Sequence, residues 1–349
     1  MIRKKESLYY GDYLKIKDLT SLQVTESSKV GNEAHDETLF IIVHQVYELW
    51  FKQILHEINS ICAYLSTDKL KDQDLAVCND RLKRIVEIQH ILLQQLQVME
   101  TMKPMDFLEF RDLLTPASGF QSVQFRQVEL LLGFKLDSSM KGPVLGRLSE
   151  NDQKIITETS NKTSLFDLVE KWLIRMPYCH NSQYDFWQEY SKSVQKMLAK
   201  DKQIISDNHL LSAEEIKFEL SNLTLTSQSF EVLFDSEKYE SQSKRRLGQN
   251  AMLNALFIFI YREQPKLAQA FNFLNSLIEL DANFTTWRHR HALMAHRMLG
   301  SKIGTGGSSG HEYLKRSAEK RQIFTDLYDI SSFLIPRSCL PEFPETLEN

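Results

Sequence analysis

Glycine and proline are scarce in this sequence, and their scarcity limits the possible folds. Its 12 Gly and 8 Pro make up about 6% of 349 residues, where about 12% is usual. A β-sandwich or a β-propeller needs many tight turns and the residues that form them, so both architectures are excluded. Extensive disorder is excluded as well, because 20 Phe, 12 Tyr and 4 Trp supply ample apolar surface for a core. The composition therefore predicts a helix-rich globular protein.

An excess of positive charge is also lacking. The 42 Lys and Arg are offset by 46 Asp and Glu, so neither nucleic acid nor an anionic membrane is an expected partner. No apolar stretch is long enough to span a bilayer, and the basic start has no apolar run behind it to form a secretory signal. The 4 cysteines include no Cys-x-x-Cys pair, which argues against a zinc cluster. We expect reduced thiols and a cytoplasmic location.

Long stretches without proline predict long helices. Proline is absent before Pro104 and between Pro177 and Pro265, and helix interiors tolerate it least. Apolar residues at three- and four-residue steps predict helices over 37–65, 74–102, 105–114, 120–133, 164–176, 182–199, 213–234, 245–261, 266–280, 284–299 and 321–334. Asp36 is the expected N-cap of the first helix, and residues 133–161 are expected to form a polar loop. With neither repeat nor linker, the sequence predicts an all-α fold in one domain, residues 1–349.

One short segment holds five of the chain's twelve glycines, between Gly300 and Gly310. Clustered glycines allow several backbone N–H groups to converge on an anion. The spacing matches neither a Walker A loop nor a dinucleotide-binding loop. The segment is therefore either a flexible solvent loop or a cradle for a small anion or carboxylate.

The 10 histidines call for a test of metal-binding patterns. His-Glu-x-x-His is absent, and the single Glu-x-x-His pair, Glu87 with His90, falls short of the two that a di-iron bundle needs. His289, His291 and His296 do not share a helix face, so they cannot bind one metal together. Each is either a surface or core residue, or one of them is an axial haem ligand.

Two polar residues stand out in apolar surroundings. His44 lies in the most apolar predicted helix, so its ring either hydrogen-bonds a core group or makes a polar contact in a ligand pocket. Arg111 follows Phe110 in an aromatic segment, where it either binds a ligand carboxylate or pairs with Asp112 or a neighbouring helix. The residues indicate a pocket with aromatic walls and leave its ligand unidentified.

A resemblance to a known family lies in four segments that occur in the family's order and at its separations. They are residues 10–14, 35–52, 110–126 and 287–310, and they resemble tryptophan 2,3-dioxygenases. The match extends over nearly the whole chain. The resemblance implies a homotetrameric enzyme whose long buried helices surround a pocket for haem b, with iron as its metal. It also implies insertion of O2 across the indole C2–C3 bond of L-tryptophan to give N-formyl-L-kynurenine, the first step of the kynurenine pathway.

The resemblance further implies roles for individual residues. His291 matches the axial ligand of the haem iron, and His44 matches the catalytic histidine that hydrogen-bonds the indole N–H, as a base or only to orient it. The other implied residues are Phe40 and Phe107 in the indole pocket, Arg111 on the substrate carboxylate, Thr305 on its ammonium and carboxylate, Ser118 and Gly119 beside the haem, and Tyr10 and Tyr13 from a neighbouring subunit. Position 107 is Phe where some members have Tyr.

Residues 1–20 are accordingly expected to form an arm that reaches a neighbouring subunit. Two other interpretations remain open on the sequence. One is a non-catalytic sensor of haem or tryptophan with the same fold, and the other is a related haem enzyme with another aromatic substrate.

Overall fold

The computed structural model describes residues 7–136, 142, 145–178, 186–242, 244–300 and 321–343, and these residues contain helices and no strand. The α-helices are α1 Tyr10–Leu14, α2 Ile16–Leu19, α3 Glu26–Lys29, α4 His35–Leu65, α5 Asp72–Met99, α6 Pro104–Leu108, α7 Val123–Leu132, α8 Glu150–Ser160, α9 Leu165–Ile174, α10 Phe186–Ser206, α11 Ala213–Phe234, α12 Ser236–Gln242, α13 Gln249–Ile260, α14 Pro265–Leu299 and α15 Thr325–Asp329. Short 3₁₀ helices are Arg111–Leu114, Gly119–Gln121, Ile330–Phe333 and Arg337–Cys339. The predicted all-α fold is confirmed.

Three long helices form the centre of the molecule, because α5 packs against both α4 and α14. On α4, Ile54, Ile58 and Ile61 recur at three- and four-residue steps and are fully buried, as an amphipathic helix requires. One hydrophobic core continues from these helices to α15. The frame that results carries both histidines singled out in the sequence, His44 on α4 and His291 on α14.

The N-terminus of α4 lies two residues before the predicted one. The N-cap is Ala34, and Asp36 lies inside the first turn, so the assignment of Asp36 as N-cap is wrong. The helix begins earlier because Ala34 is buried and its N–H donates to the Ser27 hydroxyl at 2.9 Å. Asp36 in the first turn still suits the positive end of the helix dipole.

The two helices predicted over 266–280 and 284–299 are one continuous helix, α14. The interval between the two predicted helices contains Asp281, which is polar but only 1% exposed inside α14. Its carboxylate accepts hydrogen bonds from the backbone N–H groups of Ile323 and Phe324, at 2.9 and 3.0 Å. The partner of this polar residue lies some forty residues away, so the local pattern could not reveal it.

The prediction of a polar loop over 133–161 is wrong for its second half, which contains α8. Ser149 caps α8, and Ile156 is buried with Leu130 and Leu148 in a small apolar cluster. A well-formed cap and one buried stripe are sufficient for a short helix on the surface. The helix predicted over 321–334 is also shorter than expected, since it consists of α15 and a 3₁₀ turn.

Three of the four cysteines lie within the described residues, and the described helices can be compared with the length of a membrane span. Cys62, Cys78 and Cys339 are free thiols there, and Cys179 lies outside the described residues. Burial raises the pKa of Cys62 to about 12, which disfavours the reactive thiolate. None of the described helices combines the length and the apolar character that crossing a membrane demands.

Candidate functional site

His44 forms a hydrogen bond within its own helix through one of its two ring nitrogens. Its Nδ1 lies 2.7 Å from the carbonyl oxygen of Phe40, one helical turn earlier. Because a carbonyl only accepts, Nδ1 carries the hydrogen and Nε2 is left as an acceptor. The side chain keeps an exposed surface, yet the surrounding protein desolvates it and lowers its pKa. The hydrogen bond to a neighbouring group that the sequence suggested is therefore present, and Nε2 has the acceptor that a polar contact with a ligand would use.

Three phenylalanines form an aromatic wall beside His44. The ring centroid of Phe40 lies 4.2 Å from that of His44, and 5.7 and 5.5 Å from those of Phe107 and Phe110. Phe107 and Phe110 meet edge to face, with centroids 5.4 Å apart. Phe110 is fully buried, whereas Phe40 and Phe107 keep part of their surface exposed. The wall and the acceptor together suit a flat aromatic ligand with one N–H donor.

Arg111 follows this wall directly, at the first position of a 3₁₀ helix. Its side chain is 15% exposed, and Nη1 lies 3.8 Å from the carboxylate of Asp112, which is 93% exposed. The pairing with Asp112 considered from the sequence is therefore present. An ion pair this long and this open to water contributes little to stability.

His291 lies on α14 and stacks on Trp287, one turn earlier. The two ring centroids are 5.2 Å apart and the ring planes differ by 8°. The Trp287 indole N–H donates to the Tyr47 hydroxyl at 3.4 Å, and that hydroxyl donates to the Leu92 carbonyl at 2.7 Å. This chain of bonds fixes the tryptophan ring and, through the stack, orients the imidazole of His291.

The electrostatics of His291 fit a haem ligand. Burial lowers its pKa to about 4, with a further lowering by nearby His44, so the ring is neutral at pH 7. A neutral imidazole is the form that binds metal. Among the described residues, no three His, Cys, Asp or Glu side chains are grouped to hold a metal ion. One oriented, neutral histidine is what a haem iron needs, because the porphyrin supplies the other ligands.

The segment that contains Ser118 and Gly119 is tethered to α4 near His44. Ser118 caps the 3₁₀ helix that starts at Gly119. Farther along, the Ser122 hydroxyl donates to the carboxylate of Glu48 at 2.5 Å. Because Glu48 lies one turn after His44, this bond fixes the segment on the same stretch of α4 as the histidine.

Two of the predicted site residues are not brought to this cluster, and a third cannot be placed relative to it. Tyr10 and Tyr13 lie on α1, which packs mainly against α2, and their side chains are 75% and 69% exposed. Thr305 lies outside the described residues. In the described part of one chain, the site candidates are therefore His44 with its aromatic wall, Arg111 directly after that wall in the sequence, and His291, whose pKa is affected by His44.

Several supporting residues were missed from the sequence. Trp287 precedes His291 by four residues, and this spacing places both on one face of a helix. Glu129 is a lone acidic residue in an apolar run, a signal of a buried charge that needs partners. Tyr47 gave no signal of its own, because its bond to Trp287 joins residues 240 positions apart.

Comparisons with known proteins cover nearly the whole chain. A family profile described as tryptophan 2,3-dioxygenase matches residues 2–334. A protein named tryptophan 2,3-dioxygenase from Alteromonas mediterranea is 45% identical, over 99% of this chain and 98% of that protein. Proteins of the same name from Bdellovibrio bacteriovorus and Dictyostelium discoideum are 43% and 42% identical over 99% of this chain, and the matches cover 98% and 88% of their lengths.

Proposed function

Because the chain belongs to the tryptophan 2,3-dioxygenase family, we propose that it inserts both atoms of O2 across the indole C2–C3 bond of L-tryptophan. The product is N-formyl-L-kynurenine, and the reaction is the first step of tryptophan catabolism by the kynurenine pathway. The observation that carries the proposal is the neutral ring of His291, held by its stack on Trp287, in the same helical frame as His44 and its aromatic wall. The sensor alternative is not favoured, because the near-full-length relatives are named as enzymes.

The proposed cofactor is haem b, with His291 as axial ligand and Ser118 and Gly119 beside it. The neutral ring of His291 and its stack on Trp287 support this assignment. When bound, the haem supplies the iron that activates O2. The protein's own task is then to hold the substrate and to exclude water.

The proposed substrate pose uses the residues of the cluster. The indole packs against Phe40 and Phe107, and its N–H donates to Nε2 of His44. Arg111 binds the carboxylate with its planar fork. Thr305 is proposed, on the resemblance alone, to contact the ammonium and carboxylate. An apolar wall beside one cation matches an aromatic amino acid that carries a carboxylate.

The proposed assembly is a homotetramer, with residues 1–20 as an arm that brings Tyr10 and Tyr13 to a neighbour's site. We propose that the rest of the chain forms one domain and that the enzyme works in the cytoplasm. The exposure of large apolar side chains on the arm supports the proposal, because Leu8, Tyr10 and Tyr13 are 72%, 75% and 69% exposed. A neighbouring subunit would cover this surface.

Anaerobic reduction of the haem-loaded protein, followed by L-tryptophan and O2, tests the proposed function. Formation of N-formylkynurenine is the expected result. Tight binding of L-tryptophan without product would support the sensor alternative. Turnover of another indole or aromatic compound in preference to L-tryptophan would support a related enzyme.

His44→Ala should lower the single-turnover rate with L-tryptophan by only about threefold to tenfold. One neutral hydrogen bond to the indole N–H contributes about 0.5 to 1.5 kcal/mol. Removal of a general base would instead cost about a hundredfold or more. With 1-methyl-tryptophan, which has no N–H to donate, the parent and the variant should react at similar rates. A loss beyond about a thousandfold, with haem and substrate still bound, would contradict a purely orienting role.

Deletion of residues 1–15 should lower both activity and assembly and leave the helical core folded. Termini contribute little to a core, and the arm packs mainly against its own next helix. Sedimentation, circular dichroism and turnover would be measured on the same sample, with Tyr10→Ala and Tyr13→Ala as variants that keep the arm. A fully active tetramer of the truncated chain would show that the arm is dispensable.

A further inference from the structure

A buried carboxylate surrounded by arginines lies outside the residues used so far. Glu129 on α7 is 2% exposed. Arg288 donates to its Oε1 at 3.1 Å, Arg321 to both oxygens at 2.9 Å, and Arg126 to Oε2 at 2.6 Å. The three arginine side chains are between 4% and 8% exposed. We refer to these four residues as the Glu129 cluster.

The charges of the Glu129 cluster depend on one another. Burial alone would raise the pKa of Glu129, but the three arginines outweigh it and hold the pKa at about 2. Glu129 is therefore ionised, and it is the shared anion of three buried cations. Removing this one anion would leave the three buried cations without compensation, so the carboxylate holds its partners in place.

The arginines reach Glu129 from segments next to two proposed site residues. Arg288 lies on α14, three residues before His291. Arg321 is the first described residue after the segment that contains Thr305. Glu129 thus joins α7 to the turn of α14 that precedes His291, the proposed haem ligand. It also joins α7 to Arg321, where the last described stretch of the chain begins.

The returning chain is attached to α14 at two further points. Arg288 donates to the backbone carbonyl of Arg321 at 3.4 Å. Asp281, two turns earlier on α14, accepts from the backbone N–H groups of Ile323 and Phe324. These bonds hold the chain after residue 320 against the helix of His291, and Glu129 fixes both to α7.

We propose that Glu129 is a positioning residue for the reaction. It fixes the turn of α14 that carries His291, and the backbone at Arg321, relative to α7. The proposal rests on the proposed function, because ligation of haem iron by His291 is what Glu129 would position. Arg126 differs from the other two arginines. It lies three residues before Glu129 on the same helix, so its ion pair joins no separate elements.

Glu129→Gln tests the proposal in the full-length, haem-loaded protein. We expect the iron–histidine stretching band of the ferrous protein, measured by resonance Raman spectroscopy, to shift or broaden. We also expect kcat to fall about 10- to 100-fold, as for a ligand that has lost its orienting partners or a site misplaced by about 1 Å. KM for L-tryptophan is measured in parallel, so that an effect on substrate binding can be distinguished from an effect on kcat.

Two control variants separate positioning from a loss of buried charge. Arg126→Gln removes a buried arginine from the same carboxylate without cutting a link between elements, so it should keep the parent band. Glu57→Gln removes another buried carboxylate, one bonded to Arg84 at 2.9 Å and lying toward the far end of α4 from His44. It should also leave the band and kcat unchanged.

Glu129→Asp provides the same test should Glu129→Gln fail to fold. It keeps the charge but shortens the side chain by one methylene, so it cannot hold Arg288 and Arg321 in the same geometry. We expect a smaller shift of the band in the same direction. An unchanged band and kcat in a folded, haem-loaded variant would overturn the proposal, and so would equal changes in Arg126→Gln. A parent protein that binds no haem, or forms no product, would contradict the proposed function instead.

Discussion

His291→Ala is expected to lose histidine-ligated haem and, with it, activity. In the proposed site the imidazole of His291, oriented by its stack on Trp287, would be the bond that joins the protein to the iron. The loss should exceed the roughly 10- to 100-fold typical of removing a residue that merely orients a ligand. The haem content of the purified protein and the absorption spectrum of its ferrous form measure the effect. Imidazole added in solution should restore part of the histidine-ligated spectrum, because the substitution leaves room for it.

His289→Ala is the matched control for this prediction. It lies two residues away on α14, with an exposed side chain on another face, so its loss should leave haem content and spectrum unchanged. A parent-like spectrum in His291→Ala would show that another residue is the ligand of the haem iron. His289 and His296 would then be examined next.

The helical fold could be predicted from the sequence because most of its information is local. The predicted helix over 213–234 has the observed bounds, since its cap residue Ser212 and its apolar spacing lie within the same stretch. The predicted helix bounds were wrong where the local structure depends on a partner that is distant in the sequence. The predicted break between residues 280 and 284 contains the polar Asp281, whose bonds to the backbone of Ile323 and Phe324 make it compatible with a continuous α14. A pattern of residue types does not show such partners.

Only part of the candidate site could be predicted from the sequence, again because distant partners do not show in a local pattern. Spacing alone left His44 with two interpretations, and the structure assigns one nitrogen to the Phe40 carbonyl and leaves the other as an acceptor. The Glu129 cluster could not be assembled from the sequence, because two of the three arginines that bind Glu129 lie 159 and 192 residues away. The roles of His291, Arg111 and Thr305 came from the resemblance, and they remain predictions.

Arg111→Lys is expected to weaken binding of L-tryptophan steeply while haem content stays at the parent level. Lysine keeps the positive charge but has no planar fork to make two parallel bonds to a carboxylate. Truncating one partner of a buried charge pair costs about 2 to 5 kcal/mol, which corresponds to a rise in Kd of roughly 30-fold or more. Spectroscopic titration of the haem-loaded, oxygen-free protein with L-tryptophan measures this change without requiring turnover.

Tryptamine, which keeps the indole and the ammonium but lacks the carboxylate, shows which group Arg111 binds. The parent should prefer L-tryptophan to tryptamine strongly, and Arg111→Lys should lose most of that preference because only the carboxylate contact has changed. Asp112→Asn tests the alternative that Arg111 serves its neighbouring aspartate. The two side chains are 3.8 Å apart and Asp112 is 93% exposed, so this substitution should leave the affinity nearly unchanged. If Arg111→Lys binds L-tryptophan as the parent does, the carboxylate is held by another residue, and the aromatic wall alone would not explain recognition of an amino acid.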